Sequence, residues 1–564
     1  DTCGFNVVDR VSSQPDTITS EVSVEAWNLP QSSEFQQLDV VSLSFTTPLT
    51  AAGGQYRICW CAAAAHCASS HDMRVDIGEL RLVGPSPLDL SMTCTTAQNC
   101  QIKDILGDGL KIDDHLLILD TCGIRNQGQL NFAGDHGWPQ EGFTTTRSLN
   151  GVIKDGLGNV VSTTSSIFSK FDFSQVRVTA SGGNYRMCWC ASGFNCTEVA
   201  HFRMDVGSLQ LQGPSPLQQD RTCMSGQSCK LESIFGQSLS FDDIIMIRDT
   251  CGFFPSSHDV LPRFPNDGIV NTVMTNGETF TWQDNSSSLF ITAASGYYRL
   301  CWCRPTVTVA RVGDITCSLA EHFATDLGEL MLLGPSPLEQ HRTCISGMPC
   351  TVANISGLEL QYGDTLHILS TCGLLGTEVP GIPQDGLSMP GLGSGSFFTW
   401  GDEPITTAGG QFRLCWCAAG YTCEMLEHFG VDIGELRIIG PAQTQIYCAS
   451  GYPCWGALVG VHMSTDDQIM AADECGAPVE AWPSPRSRYP EIPGFPDGGK
   501  VPLQSYVGET FQFAWGSIEP ITAAGGVYRL CWCAGERGCS SSEDFKTEAG
   551  TLFLAGPSEY LADL

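Results

Sequence analysis

Lysine is scarce in this sequence: only 7 of the 29 basic residues are lysine, and 61 acidic residues bring the formal net charge to −32. That balance excludes an extended nucleic-acid or anionic-membrane surface, which needs clustered Lys and Arg. Charge of either sign is also thin, at 16% of residues. With 42% apolar residues and a mean hydropathy of −0.01, the chain can bury cores and is no disordered acidic tail. No apolar run approaches the roughly 20 residues of a membrane-spanning helix, so no membrane span is expected. Catalytic signatures are missing too: there is no G-x-S-x-G, H-E-x-x-H, P-loop or dinucleotide fingerprint, and the 11 histidines are scattered. A non-enzymatic chain without a cofactor is predicted. Paired C-x2-C knuckles are absent, which argues against structural zinc.

What the sequence has is cysteine, 28 residues in recurring positions. So many thiols point to an oxidising compartment and to disulfides, hence to a secreted or cell-surface protein. The sequons at Asn195, Asn285 and Asn354 agree with secretion and predict N-linked glycans there. The start at Asp1, with no signal peptide, fits a processed chain or a fragment.

A block reading G-x-[YF]-R-x-C-W-C occurs five times, with first cysteines Cys59, Cys188, Cys301, Cys415 and Cys531. Its second cysteines are Cys61, Cys190, Cys303, Cys417 and Cys533. A [DS]-[TE]-C-G element precedes each block, at Cys3, Cys122, Cys251, Cys372 and Cys475. A further cysteine follows it, at Cys67, Cys196, Cys317, Cys423 and Cys539. Between one block and the next element lies a C-x5-C pair: Cys94/Cys100, Cys223/Cys229, Cys344/Cys350 and Cys448/Cys454. Every cysteine belongs to this pattern. Five units follow, over 1–88, 89–217, 218–338, 339–442 and 443–564, joined by segments such as "GPSPL" whose prolines restrict bending. The first unit has no C-x5-C pair and lacks the opening strands of its neighbours. Either the natural chain extends upstream, which is preferred, or another protomer donates strands by β-augmentation.

Alternation in "NYRMCWC" puts Tyr185, Met187 and Trp189 on one strand face, taken as the core, and Arg186, Cys188 and Cys190 on the other, facing outward. Short strand-like runs bounded by Gly and Pro predict an all-β chain: a tandem array of disulfide-stapled immunoglobulin-like β-sandwiches forming an elongated rod. Tyr lies three residues before the first cysteine of the block, where such sandwiches have two, so the likeness is one of architecture. Six cysteines per unit allow 15 pairings. The expected scheme closes C-x5-C locally, joins the [DS]-[TE]-C-G cysteine to one member of C-W-C, and joins the later cysteine to the other.

Other repeated residues have a structural and a functional reading. His201, His322 and His428 align with Asp72 and Asp544 and read as polar surface rather than metal ligands. Asp113, Asp114 and Asp120, with Asp242, Asp243, Asp249, Asp364, Asp466, Asp467 and Asp473, are the one pattern that suggests calcium, although a solvated turn is the favoured reading. Arg57, Arg186, Arg299, Arg413 and Arg529 read as ion-pair or stacking partners, and the motif tryptophans as core anchors.

Through its Y-R-L-C-W-C and [DS]-[TE]-C-G elements the chain resembles the large cysteine-rich repeat proteins of protists, particularly alveolates such as dinoflagellates. That resemblance implies an extracellular or cell-surface role, as a self-associating protomer of a filament, flagellar hair or coat. An adhesion or glycan-binding ectodomain using the variable loops is the alternative.

Overall fold

In each unit one strand carries the C-W-C motif, and in the second to fifth units its two faces are buried in different cores. These motif strands are Gly54–Trp60, Gly183–Cys190, Gly296–Cys303, Gly410–Cys417 and Gly526–Cys533. The computed structural model describes Cys3 and residues 47–62, 67–111, 113–124, 137–149, 153–154, 160–162, 168–172, 177–253, 261–270, 272–274, 277–284, 287–306, 316–478, 492–508 and 510–558. Among these residues there is no α-helix, only strands and short 3-10 turns, and no helix is long and apolar enough to cross a membrane.

The fifth unit shows the topology most completely. One sheet runs Thr444–Ala449, Thr547–Ala555, Gly526–Cys533, Gln468–Ala472, Lys500–Pro502, and the opposing sheet joins Cys454–Val461, Thr510–Trp515 and Gln504–Val507. The opening strand of the unit, here called the leader strand, pairs parallel to the last strand, and all other pairs are antiparallel. A parallel first-to-last pairing on an otherwise antiparallel two-sheet sandwich is the immunoglobulin-like arrangement. The same pairing joins Leu90–Thr95, Arg221–Met224 and Arg342–Ile345 to the last strands Met204–Pro214, Thr325–Pro335 and Val431–Pro441.

Alternation sends Met187, Leu300, Leu414 and Leu530 into the sandwich with the motif tryptophans, where Trp189, Trp302, Trp416 and Trp532 are buried. The outer face differs from the sequence expectation. Cys188 and Cys190 do face away from the sandwich, but they are buried there, in a second small core with Leu117, Leu119, Val199 and Phe202. The third, fourth and fifth units repeat it around Phe323, Phe429 and Phe545. The short segment after C-W-C folds back over the sheet and plugs it with that phenylalanine, so the sulfurs lie beneath a lid and not in solvent. Strand His115–Leu119 is consequently apolar on both faces, Leu116 and Ile118 inward and Leu117 and Leu119 outward.

All 28 cysteines are paired and none is free. The [DS]-[TE]-C-G cysteine joins the first member of C-W-C: Cys3–Cys59, Cys122–Cys188, Cys251–Cys301, Cys372–Cys415 and Cys475–Cys531. The second member joins the cysteine after it: Cys61–Cys67, Cys190–Cys196, Cys303–Cys317, Cys417–Cys423 and Cys533–Cys539. The C-x5-C pairs close on themselves, as Cys94–Cys100, Cys223–Cys229, Cys344–Cys350 and Cys448–Cys454. On chain entropy, a bridge spanning 66 residues, as at Cys122–Cys188, constrains the unfolded chain by about 4 kcal/mol and one spanning 6 by about 2 kcal/mol. Each long bridge therefore constrains the unfolded chain about twice as much as a short one, and the short ones also fix the shape of a loop.

The motif tyrosine turns its hydroxyl back to the chain that leads into the strand. Tyr56, Tyr185, Tyr298 and Tyr528 donate to the carbonyls of Ala52, Ser181, Ala294 and Ala524 at 2.6 to 2.7 Å. The fourth unit has Phe412 and forgoes this bond. Phe412→Tyr is expected to gain about 1 kcal/mol of local stability by donating to Ala408, read as slower hydrogen exchange across Gly410–Cys417; faster exchange would contradict the assignment.

Candidate functional site

Among the described residues, the features that recur with the unit converge on the junction between one unit and the next. Each last strand begins with a D-x-G or E-x-G bulge. The pairing with the motif strand shifts register there, between Met187 and Cys188 in the second unit and at the same place in the first, third and fifth. The Asp205 carboxylate accepts the Gly207 N–H at 3.0 Å and pairs with Arg186 at 2.8 Å. Asp326 with Arg299, Asp432 with Arg413, Glu548 with Arg529 and Asp76 with Arg57 repeat the pair. The motif arginines thus hold the bulge.

The bulge glycine has a positive φ, 149° at Gly207 and 138° at Gly434, and the leader strand crosses directly over it. A Cβ on Gly328 would stand 2.7 Å from the Gln219 nitrogen, and one on Gly434 2.8 Å from that of Gln340. No other residue fits there.

Past the bulge, the last strand leaves its own unit and joins the next. Gly84–Pro85 pairs with Gly107–Asp108, Gly213–Pro214 with Gly236–Gln237, Gly334–Pro335 with Gly357–Leu358, and Gly440–Pro441 with Gly460–Val461. The first proline of each linker therefore lies in paired strand, which continues the sheet hydrogen bonding across the junction. Arg81 of the first unit also bonds Asp108 of the second, at 2.6 Å.

The C-x5-C loop is the wedge of the junction. Thr96, Ser225, Ser346 and Ser450 each donate a hydroxyl to their own unit, to the carbonyls of Ala180, Ala293, Thr407 and Ala523. Two of these residues, Thr96 and Ser346, also reach the next unit. Thr96 and Thr325 meet through their hydroxyls at 3.0 Å, Ser346 and Thr547 at 2.8 Å, both pairs buried. Gln98 adds a bond from its amide to the Arg304 carbonyl at 2.9 Å. Arg177 bonds the Glu321 carbonyl, and Arg263 that of Asp432 at 2.8 Å.

The aspartates that suggested calcium serve these same turns. Asp114 accepts N–H bonds from Lys111 and Ser192, Asp364 from Gln361 and Ala419, and Asp467 from Ser464 and Gly535, at 2.8 to 3.0 Å. They are buried, so the solvated-turn reading is corrected: each carboxylate ties the turn before one strand to the end of the motif strand. Burial pushes the Asp364 carboxyl above its ordinary range, against the N–H bonds that hold it ionised. In the third unit Asp243 meets Arg304 at 2.6 Å, and Arg304 also donates to Gln212 of the preceding unit at 2.9 Å. Asp120 and Asp249 are exposed. Among the described residues, no group of three or more His, Cys, Asp or Glu is placed to hold a metal.

The His/Asp alternation also has a physical reason. His201 and His428 sit at the end of a 3-10 turn and accept the N–H of Glu198 and Met425 through Nδ1, at 3.3 and 3.4 Å. Asp72 and Asp544 accept the equivalent N–H groups of Ser69 and Ser541; the Ser69 hydroxyl, with that N–H, holds the Asp72 carboxyl below its ordinary value, and the Ser541 N–H does so for Asp544. An imidazole nitrogen and a carboxylate oxygen exchange because the position needs an acceptor. His322 is buried without such a bond, and burial lowers its pKa. Asn195 and Asn354 are exposed, and Asn285 lies outside the described residues.

No family model matches this chain. It is 22% identical over 411 residues, 68% of its length, to cysteine repeat modular protein B of the alveolate Toxoplasma gondii, and spans about a twentieth of that protein, 5% of its length. Solved structures similar to it include immunoglobulin domains 1–4 of Sidekick-1 (11% identity, 84% of this chain and 99% of that one, TM-score 0.12), the I9–I11 tandem of titin (8%, 60% and 96%, 0.15) and the four N-terminal immunoglobulin domains of Dscam1 (11%, 82% and 97%, 0.13). Superpositions scoring this low carry no weight, and the immunoglobulin-like character lies in the strand order.

Arg304→Met leaves Asp243 buried without its cation and is expected to cost about 3 kcal/mol at neutral pH. Because burial already pushes the Asp243 carboxyl up, that deficit shrinks as the pH falls and the acid becomes neutral. Hydrogen exchange of Ile244–Arg248 at two pH values checks it, and a pH-independent deficit would contradict the role given to Arg304.

Proposed function

We propose that this chain is a structural segment of an extracellular or cell-surface assembly, a protomer of a filament, flagellar hair or coat in which the units form a stiff array. The junction supports this reading: each unit's last strand continues into the next unit's hydrogen bonding, and a disulfide-closed loop wedges its hydroxyl between the two. Such a junction suits a rod that transmits force or holds a fixed spacing better than a string of independent modules. Fourteen disulfides without a free cysteine support an oxidising, extracellular setting. The similarity to a cysteine-repeat modular protein agrees with a modular extracellular role.

A second reading, an adhesion or glycan-binding ectodomain, has one observation in its favour. Tyr447 stacks on Phe553 at 4.9 Å and 10°, and its ring is 71% exposed. A flat aromatic face in water is a platform on which the apolar face of a sugar stacks.

Negative-stain electron microscopy of the native material separates the two. Ordered filaments or sheets with an axial repeat are expected, whereas dispersed particles that bind a glycan array, and lose that binding with Tyr447→Ala, would favour adhesion.

A further inference from the structure

The disulfides divide each unit into bridged and unbridged chain, and only the bridged chain varies in length. No bridge overlaps another: Cys94–Cys100, Cys122–Cys188 and Cys190–Cys196 follow in order in the second unit, and the later units repeat this order. The long bridges of the second to fifth units span 66, 50, 43 and 56 residues. The bridge after C-W-C spans 14 residues in the third unit and 6 in its neighbours. Between bridges the chain keeps step. It advances 22 residues from Cys100 to Cys122, from Cys229 to Cys251 and from Cys350 to Cys372, and 21 from Cys454 to Cys475. It advances 27 from Cys196 to Cys223 and from Cys317 to Cys344, and 25 from Cys423 to Cys448. Nearly all the difference in length between units therefore lies inside closed disulfide rings.

A pull along the chain passes through the sulfurs and bypasses the rings. What can be drawn out of a unit is its unbridged path, about 50 residues or roughly 170 Å when extended, whatever the size of its loops. The fold sets a lock in series with that path. The chain enters a unit on its leader strand and leaves on its last strand, and the two pair parallel, Arg221–Met224 with residues 330–333 and Arg342–Ile345 with residues 436–439. Drawing the start of one strand and the end of the other apart loads the evenly spaced bonds of a parallel pair together instead of opening them one by one. Arg221 and Arg342 reinforce the lock, donating from the leader strand to the carbonyls of Glu232 and Ser233 and of Ala353 and Asn354, just past the C-x5-C loop.

We propose that the second, third and fourth units are tension-bearing links with a built-in extension stop. Each resists a pull through its sheared leader pair and, once that pair parts, lengthens by an amount that its disulfides set. Loops inside the rings are then free to differ without changing the reach of the array. The inference rests on the structural role proposed above, since a chain carries tension only when both its ends are held.

Single-molecule force spectroscopy of the full oxidised chain, held by its two ends, is the test. Steps of equal size are expected for these three units despite their different loops, each shorter than roughly 170 Å. Under reductant the steps should lengthen and become unequal, largest for the second unit and smallest for the fourth. About ten Gly/Ser residues inserted between Gly393 and Ser394, in an exposed loop inside the Cys372–Cys415 ring, should leave the oxidised step of the fourth unit unchanged and lengthen its reduced step by roughly 35 Å. Moving one handle from the start of the chain to the exposed Ser228, beyond the far end of the leader strand, peels the pair of the third unit and should lower its yield force at least ~2-fold. The proposal is overturned by unequal oxidised steps, by an oxidised step that grows with the insertion, or by a yield force that is the same from Ser228. Filaments whose chains give unequal steps would sink the extension stop alone, and the expected steps from material that forms no filaments would sink only the assembling role.

Discussion

The array depends on the passage of one backbone over another at the bulge glycine of each last strand. The bulge exists because an arginine of the motif strand and the N–H of the glycine share one carboxylate, Asp205 in the second unit. Without a side chain at that glycine the leader strand lies parallel and close. The leader strand then delivers the C-x5-C loop to the end of the sandwich, where the next unit begins. Moving the leader strand by the width of a methyl group would withdraw Thr96 from Thr325 and Ser346 from Thr547.

The disulfides divide their work along the same line. The long bridges close 43 to 66 residues and limit the unfolded chain. The C-x5-C bridges contribute less in that way, but they hold a short loop in the one form that fits between two units. The bridges after C-W-C fasten the lid over the second core. Each of the second to fifth units thus has two cores on either side of one strand, with a tryptophan in the larger and half-cystines in the smaller.

Much of this was legible in the residues. Alternation in "NYRMCWC" separated the tryptophan face from the cysteine face, and the Gly- and Pro-bounded runs gave the all-β sandwich. The burial of Cys188 and Cys190 was not legible, because the phenylalanine that covers them, Phe202, sits beyond the motif, just after a 3-10 turn without periodicity. The Asp114, Asp364 and Asp467 carboxylates read as solvated for a related reason: their donors, Ser192, Ala419 and Gly535, are backbone groups 55 to 78 residues away, and a backbone N–H leaves no mark in a sequence. Interchange of His and Asp before that phenylalanine was the one visible clue to a backbone acceptor. The junction itself was read as proline stiffness, whereas paired strand and a buried hydroxyl contact do most of the holding.

The account stands or falls on whether the wedge fixes the angle between neighbouring units. Small-angle X-ray scattering of the full chain, compared with the Cys344→Ser/Cys350→Ser variant, measures this directly. A native profile fitted by a single rigid array, with a broader distribution of dimensions once the loop of the fourth unit is opened, is the predicted result. A native chain that already scatters as a flexible string of modules, unchanged in the variant, would contradict it.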